Sequence, residues 1–160
     1  MKPQTSKTGA STTPTKQLAG FIGKFEPQTA RLIRGCRARM RQLLPTAFEL
    51  VYDNYNFFVI GYAPTERASD AILSIAAASN GVGLAFLHGA TLPDPKRLLI
   101  GSAKQNRFIR VPSLAVFDSP DVLALIRAAV AQARTPLPTE GKGRLVIKSV
   151  SAKQRPRRKA

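Results

Sequence analysis

The stretch that decides the fold is Ala71-Ile-Leu-Ser-Ile-Ala-Ala-Ala-Ser-Asn-Gly-Val-Gly-Leu-Ala-Phe-Leu-His88, in which two apolar runs meet at Asn80-Gly81. An Asn-Gly pair favours the positive φ angles of a two-residue type I′ turn. In the second run Val82, Leu84 and Phe86 share one face, which is the two-residue period of a β-strand. Neither run contains a charged residue. We therefore predict a central hairpin that is largely buried on both faces.

Helical patterns flank this hairpin. Glu26-Pro27 favours a helix start, because proline is tolerated in the first turn and an acid suits the positive end of the helix dipole. This helix ends at Pro45. Ser119-Pro120-Asp121 predicts a second start, with a capping hydroxyl ahead of an apolar stripe. Further strand-like runs lie at 48–52, 57–62 and 107–111.

The order of these patterns is helix, five strands, helix. The economical packing for this order is an α+β fold, an antiparallel five- to six-stranded sheet with an N-terminal and a C-terminal helix packed on one face.

The sequence divides into a core and two basic ends. Residues 1–20 carry three lysines and no acid and have few large apolar groups, which predicts a disordered basic leader. Residues 21–135 hold the α+β domain. Residues 136–160 carry eight cations and one acid, and we expect a basic extension with a short strand at 145–150. The formal net charge of +16 therefore lies mostly in the two ends.

Several functional classes have no motif in this sequence. Cys36 is the only cysteine, so an intrachain disulfide is excluded and a reducing compartment is favoured. Its place on the apolar stripe of the first helix predicts a buried, inert thiol, and His88 is the only histidine. We find no nucleophile elbow, no metal-spaced Cys/His cluster and no complete phosphate loop. No run of about 18 apolar residues is present. We predict no enzyme, no cofactor, no membrane span and a cytoplasmic location.

Three runs carry a family resemblance: Glu49-Leu-Val-Tyr-Asp-Asn-Tyr-Asn, Leu92-Pro-Asp-Pro-Lys-Arg-Leu-Leu-Ile-Gly-Ser-Ala-Lys-Gln, and Arg107-Phe-Ile-Arg. They resemble the bacterial YdhG-like domain family over about residues 27–134, and the block 101–110 is the most specific part. The function of that family is largely unknown. The resemblance implies a frataxin-like arrangement of helices and sheet, and one branch of the family is regarded as an intracellular iron chaperone.

The iron role fits this sequence poorly. Frataxin-like proteins collect iron with acids on the first helix and first strand, whereas the first helix here carries five arginines and no acid after Glu26. Only Glu49 and Asp53 would contribute from the first strand. Hard cations need several oxygen ligands. An iron chaperone therefore remains an alternative function rather than the favoured one.

Three basic segments are candidate binding sites. The loop from Gly101 to Arg107, with Arg110 nearby, offers backbone N–H groups and cations to a small anion; the alternative is a solvated connection. An arginine stripe on the first helix offers contacts to phosphates or an acidic partner; the alternative is a solvated face. The candidate anion-binding residues are Gly101, Lys104, Arg107 and Arg110, and the stripe is Arg34, Arg37 and Arg41.

The C-terminal cluster is the third segment. Five cations fall within seven residues, and Pro156 keeps the segment extended. Because no aromatic residue is interleaved, we expect contact with phosphates rather than base readout. The sequence therefore favours a non-enzymatic binding module that contacts a polyanion, either nucleic acid or an acidic protein, and leaves the oligomeric state open. The cations of the cluster are Lys153, Arg155, Arg157, Arg158 and Lys159.

Overall fold

Three α-helices and a six-stranded sheet form the described part of the chain, residues 12–159 of a computed structural model. The helices are α1 (Pro14–Gly23), α2 (Pro27–Leu43) and α3 (Pro120–Gln132). The strands are β1 (Phe48–Asp53), β2 (Phe58–Ala63), β3 (Leu73–Ala78), β4 (Gly81–Phe86), β5 (Arg107–Arg110) and β6 (Leu145–Val150). The α+β class predicted from the sequence is confirmed.

The sheet is mixed rather than antiparallel. Its strand order is β5-β4-β3-β2-β1-β6, and every neighbouring pair is antiparallel except β1 and β6. The prediction of a purely antiparallel sheet is therefore wrong. A parallel partner requires the chain to cross from one end of the sheet to the other. The segment from α3 to Leu145 makes that crossing, and β6 coincides with the strand expected at 145–150.

One large core lies between the helices and a single face of the sheet. The apolar stripe of α2 consists of Ala30, Ile33, Cys36 and Met40, all buried. It packs with residues from the other two helices and with alternate residues of the inner strands. The strand residues of this core include Val51, Phe58, Ile60, Tyr62, Leu73, Ile75, Leu84 and Phe86.

Among residues 12–159, no helix packs against the opposite face of the sheet. A small cluster around Leu50 and Ala63 lies there and includes no helix residue. The hairpin of β3 and β4 is present, but Ala76, Gly83 and Ala85 on this face are only partly buried. The prediction that both faces of the hairpin are buried is therefore wrong, because all three helices pack on the same side.

The hairpin turn lies one residue earlier than its sequence suggested. Ala78 pairs with Gly81, so the two turn residues are Ser79 and Asn80. Gly81 has a φ of 136°, and Arg97 is the one non-glycine residue with positive φ in the described range. Asn80 therefore does not adopt the conformation that a type I′ turn requires. The positive-φ position that the turn needs is supplied by Gly81 alone.

The predicted disordered leader, residues 1–20, overlaps the first helix. Residues 1–11 lie outside the described residues, but residues 14–20 are helical and the prediction of disorder there is wrong. Thr13 caps α1 by accepting a hydrogen bond from the Lys16 N–H, and Pro14 occupies the first turn, where its missing donor costs nothing. Leu18 and Ile22 face the core and tie α1 to the domain.

Candidate functional site

The C-terminal cluster is anchored to the domain by one buried arginine. Arg157 is 5% exposed, and its Nη2 donates hydrogen bonds to Asp53 Oδ1 at 2.8 Å and to the Asn54 carbonyl at 2.7 Å. The ring of Phe25 lies 5.9 Å from the guanidinium carbon. Arg157 thus orders a segment that is otherwise polar, because a buried carboxylate at the end of β1 compensates the buried charge.

Asp53 binds two cations from opposite ends of the sequence. Its side chain is fully buried, and Lys24 Nζ lies 2.7 Å from the carboxylate oxygen that Arg157 leaves free. Burial by itself raises the pKa of Asp53, but the hydrogen bonds from Lys24 and Arg157 outweigh it and hold that pKa below its ordinary value. Asp53 is therefore a charged anchor that joins the end of α1 to the C-terminal tail.

The backbone of the tail is also held by β1 and the loop after it. The Ser151 N–H donates to the Asp53 carbonyl at 2.9 Å, and the Arg155 N–H donates to the Tyr55 carbonyl at 2.9 Å. Gln154 bridges the same corner, donating to the Asp53 carbonyl and accepting from Lys24 Nζ. Residues 151–158 are thus positioned by main-chain contacts as well as by one ion pair.

The remaining four cations of the cluster are exposed on this ordered segment. The guanidinium of Arg155 lies 5.7 Å from the centre of the Tyr55 ring, and Arg158 donates to the Lys24 carbonyl. No carboxylate in the described range lies within ion-pair distance of any of the four. The exposed tail cations are Lys153, Arg155, Arg158 and Lys159.

The arginine stripe of α2 divides into one paired and two unpaired residues. Arg37 is partly buried and donates hydrogen bonds to both carboxylate oxygens of Glu49, at 3.0 Å from Nε and 3.0 Å from Nη2. Arg34 and Arg41 are exposed and line a groove of about 250 Å³ against α1. Arg37 is therefore a structural partner of β1, and the free charge of the stripe belongs to Arg34 and Arg41.

The two acids that an iron site would use are both engaged by protein groups. Glu49 is buried against Arg37 and accepts a hydrogen bond from the Tyr62 hydroxyl at 2.9 Å. Burial and the charge of Glu49 raise the pKa of Tyr62 well above its ordinary value. Asp53 is held by Lys24 and Arg157. Within residues 12–159 no three His, Cys, Asp or Glu side chains come together closely enough to hold a metal ion.

The residues of the predicted anion-binding loop lie in different surroundings. Gly101 has a φ of 120° and precedes β5. The Arg107 guanidinium donates to the carbonyls of Ala103 and Asn106 in its own loop. Lys104 lines a cleft of about 500 Å³ near the end of α3. Arg107 and Arg110 lie three residues apart on one strand and so point to opposite faces. Gly101 lies beside the Arg107 side chain, whereas Lys104 lines the cleft and Arg110 lines the opposite face of the sheet.

Cys36 and His88 lie in different surroundings. Cys36 is buried in the core, as the sequence predicted, and burial raises the pKa of its thiol to about 11. His88 is exposed after β4, and its carbonyl accepts hydrogen bonds from Thr91 and Gln132. A thiol with such a raised pKa stays protonated near neutral pH and is a poor nucleophile.

The anchoring role of Asp53 was missed in the sequence, although a signal was available. Glu49, Val51 and Asp53 alternate along one strand, so all three face the side on which the helices pack. An acid on the core face of a strand needs a cationic partner. That partner lies 104 residues away in the sequence, where no local pattern identifies it.

Comparisons of the chain with protein-family models, with curated proteins and with solved structures gave no match. Among residues 12–159, none of the helices combines the length and the apolar character needed to cross a bilayer.

Proposed function

We propose that this chain is a non-enzymatic binding domain whose ordered basic tail contacts a polyanion. The observation that carries the proposal is the set of four exposed, unpaired tail cations held in place by Arg157 and Asp53. Nucleic acid is the favoured partner, since phosphates are spaced regularly along a strand and neutralising each one releases counterions. An acidic protein is the alternative partner.

The surplus of positive charge supports this proposal. The described range contains 23 lysines and arginines, of which six form ion pairs and seventeen do not. Such a surplus disfavours the compact state by self-repulsion and attracts anionic partners. Contact with a polyanion would relieve that repulsion.

The order of the tail also supports it. A disordered basic segment loses conformational entropy when it binds, and that loss weakens the complex. Residues 151–158 are already positioned by β1 and its following loop, so less ordering remains to be done on binding. We expect the contact to be weakly selective for sequence, because the tail offers cations to phosphates and has no interleaved aromatic residue for base stacking.

The family assignment belongs to the same proposal. The runs at 49–56, 92–105 and 107–110 support membership of the YdhG-like family, and a sheet with helices on one face is compatible with a frataxin-like arrangement. A cytoplasmic location is proposed on the single cysteine, which lies buried as a free thiol.

The test is a salt series of binding to a labelled DNA duplex, measured by fluorescence anisotropy. The test variant replaces all four exposed tail cations by glutamine and keeps Arg157. If each cation meets one phosphate, the slope of log affinity against log salt should flatten by roughly 3 to 4 units. The fold should be unaffected, because none of the four is buried.

A matched control removes the same net charge elsewhere on the surface. It replaces four exposed cations without ion pairs, Lys96, Lys104, Arg127 and Arg134, by glutamine. The control should keep most of the wild-type slope. Equal slopes for the two variants would reject the tail as the contact. If the protein binds poly-glutamate through its tail and does not bind duplex DNA, the partner of the tail is an acidic protein.

A further inference from the structure

The helix-free face of the sheet contains a trough made by the sizes of its side chains. Two rows of paired residues cross β2, β3, β4 and β5. In the middle of each row the side chains are small or absent, and at the β5 end they are large. The first row is Val59, Ala76, Gly83 and Arg110, and the second is Gly61, Ser74, Ala85 and Phe108.

The dimensions of the trough suit a small molecule. Neighbouring strands lie about 4.8 Å apart, so β2 and β5 are separated by roughly 14 Å across the floor. The volume is about 710 Å³, which falls within the usual range of ligand sites. Phe57 stands at the β2 side of the trough and is 49% exposed.

Gly83 makes the trough deep at its centre, because it has no side chain to fill it. A Cβ built on Gly83 would lie 3.2 Å from the Ile109 carbonyl oxygen, so a side chain there would have to displace backbone or rise into the trough. The neighbouring floor residues Ala76 and Ala85 have only a methyl group. The trough therefore exists because the two central strands carry the smallest residues on this face.

Among the described residues, Arg110 is the one charged residue that lines the trough. The guanidinium of Arg110 lies 6.0 Å from the centre of the Phe108 ring, and it has no ion pair or hydrogen bond among residues 12–159. Asn80, one of the two residues of the hairpin turn, also lines the trough. An apolar floor with a cation at one end complements a molecule that has an apolar body and one anionic end.

We propose that this trough binds a small apolar monocarboxylate, with its ring or short chain on the floor and its carboxylate on Arg110. A guanidinium pairs with a carboxylate through two parallel hydrogen bonds, which fixes the orientation of the bound acid. A second copy of the chain is a poorer occupant, because it would bring a molecule of formal charge +16 and a second Arg110 against the same face.

The experiment is a titration of the full-length protein with 2-naphthoate, followed by amide shifts in a nitrogen–proton correlation spectrum. We expect saturable binding with a Kd on the order of 0.1 mM. The shifts should concentrate at Ala76, Gly83, Ala85, Phe108 and Arg110. The neutral analogue 2-naphthamide should bind at least about tenfold more weakly, because it cannot form the charged pair.

Two variants and one matched control locate the site. Arg110→Gln should weaken 2-naphthoate binding about tenfold or more and leave 2-naphthamide binding unchanged. Ala85→Leu fills the floor and should abolish binding of both probes. Arg127→Gln removes an exposed cation from the outer surface of α3 and should change neither. The variant that lacks the four exposed tail cations should also bind 2-naphthoate normally.

Several results would overturn the proposal. These are a Kd above about 5 mM, equal losses for Arg110→Gln and Arg127→Gln, or shifts confined to the cleft near Lys104. Sedimentation supplies a further check. A dimer that Ala85→Leu dissociates would show that a second copy occupies the trough.

Discussion

At the scale of single residues, the buried pair of Asp53 and Arg157 is the most consequential contact. Both side chains are almost completely removed from water, and two nitrogens of Arg157, Nε and Nη1, have no hydrogen-bond partner among residues 12–159. A buried charge is tolerated only while its partner is present, so removal of one partner leaves the other uncompensated. Substitution of Asp53 or Arg157 should therefore lower the free energy of unfolding more than substitution of an exposed charged residue.

We expect Asp53→Asn to lower the free energy of unfolding by about 3–5 kcal/mol, because it leaves the Arg157 charge buried without a carboxylate. The matched control is Asp118→Asn. Asp118 pairs with Arg39 but is 68% exposed, and breaking such a surface pair costs at most about 1 kcal/mol. Urea denaturation at neutral pH measures both. Equal midpoints for the two variants would mean that the Asp53 pair is not buried in solution.

The same variant has a pH signature. Because the pKa of Asp53 is lower in the folded chain than in the unfolded chain, its ion pairs stabilise the fold above the ordinary carboxyl pKa of about 4. That contribution is lost as the pH falls through the folded-state pKa. The difference in stability between wild type and Asp53→Asn should therefore shrink in acid. A difference that stays constant down to the acid transition would contradict the assignment of the lowered pKa to Asp53.

At the scale of elements, α1 and the hairpin turn differ most from expectation, and both involve glycine. Gly20 lies inside α1, and Gly81 follows the turn with positive φ. A Cβ added at either position meets nothing within 4 Å. The same change, glycine to alanine, therefore differs between the two sites only in backbone conformation.

We expect Gly20→Ala to stabilise the protein by about 0.5–1 kcal/mol, because alanine has the higher helix propensity and loses less entropy on folding. Gly81→Ala should destabilise it by about 1–3 kcal/mol, since an L side chain is strained at that φ. Thermal or urea denaturation measures the change in stability of each variant, and the two changes should have opposite signs. No change for Gly20→Ala would indicate that residues 14–20 are not helical in solution.

Patterns within an element could be predicted from the sequence, whereas partners between distant elements could not. The hairpin of β3 and β4, the stripe of α2 and the cap at Ser119 all follow from neighbouring residues. The pairing of β6 with β1 in parallel does not, because it depends on a crossing by residues 133–144 that no local pattern specifies. The start of α1 was missed for another reason. A proline usually indicates a break in a helix, whereas Pro14 occupies the first turn, where proline is tolerated.

At the scale of the whole molecule, the C-terminal end of α1 and the C-terminal tail meet at one corner. Lys24 follows α1, Arg157 lies near the C-terminus, and Asp53 joins them at the end of β1. The Arg158 side chain also donates to the Lys24 carbonyl. The tail is thus part of the domain, and its exposed cations are presented by a segment that also stabilises the fold.

This arrangement changes what truncation should do. From the sequence alone, removal of residues 151–160 would take away only surplus charge and leave the fold intact. In the structure it also removes Arg157 and the backbone contacts to Asp53 and Tyr55. Lys24 remains as the one partner of the buried carboxylate, and it is 43% exposed. We expect a loss of about 3 kcal/mol, or roughly 6–12 °C in melting temperature for a chain of this size.

The control is a shorter truncation, removal of residues 158–160, which takes away Arg158 and Lys159 but keeps Arg157. Its melting temperature should stay close to that of the full chain, because the one described contact it removes is an exposed hydrogen bond. Thermal melts of the three chains at one salt concentration separate the two roles of the tail. If the longer truncation has the same melting temperature as the full chain, Arg157 does not anchor the tail. If both truncations lose stability equally, the anchor lies beyond Arg157.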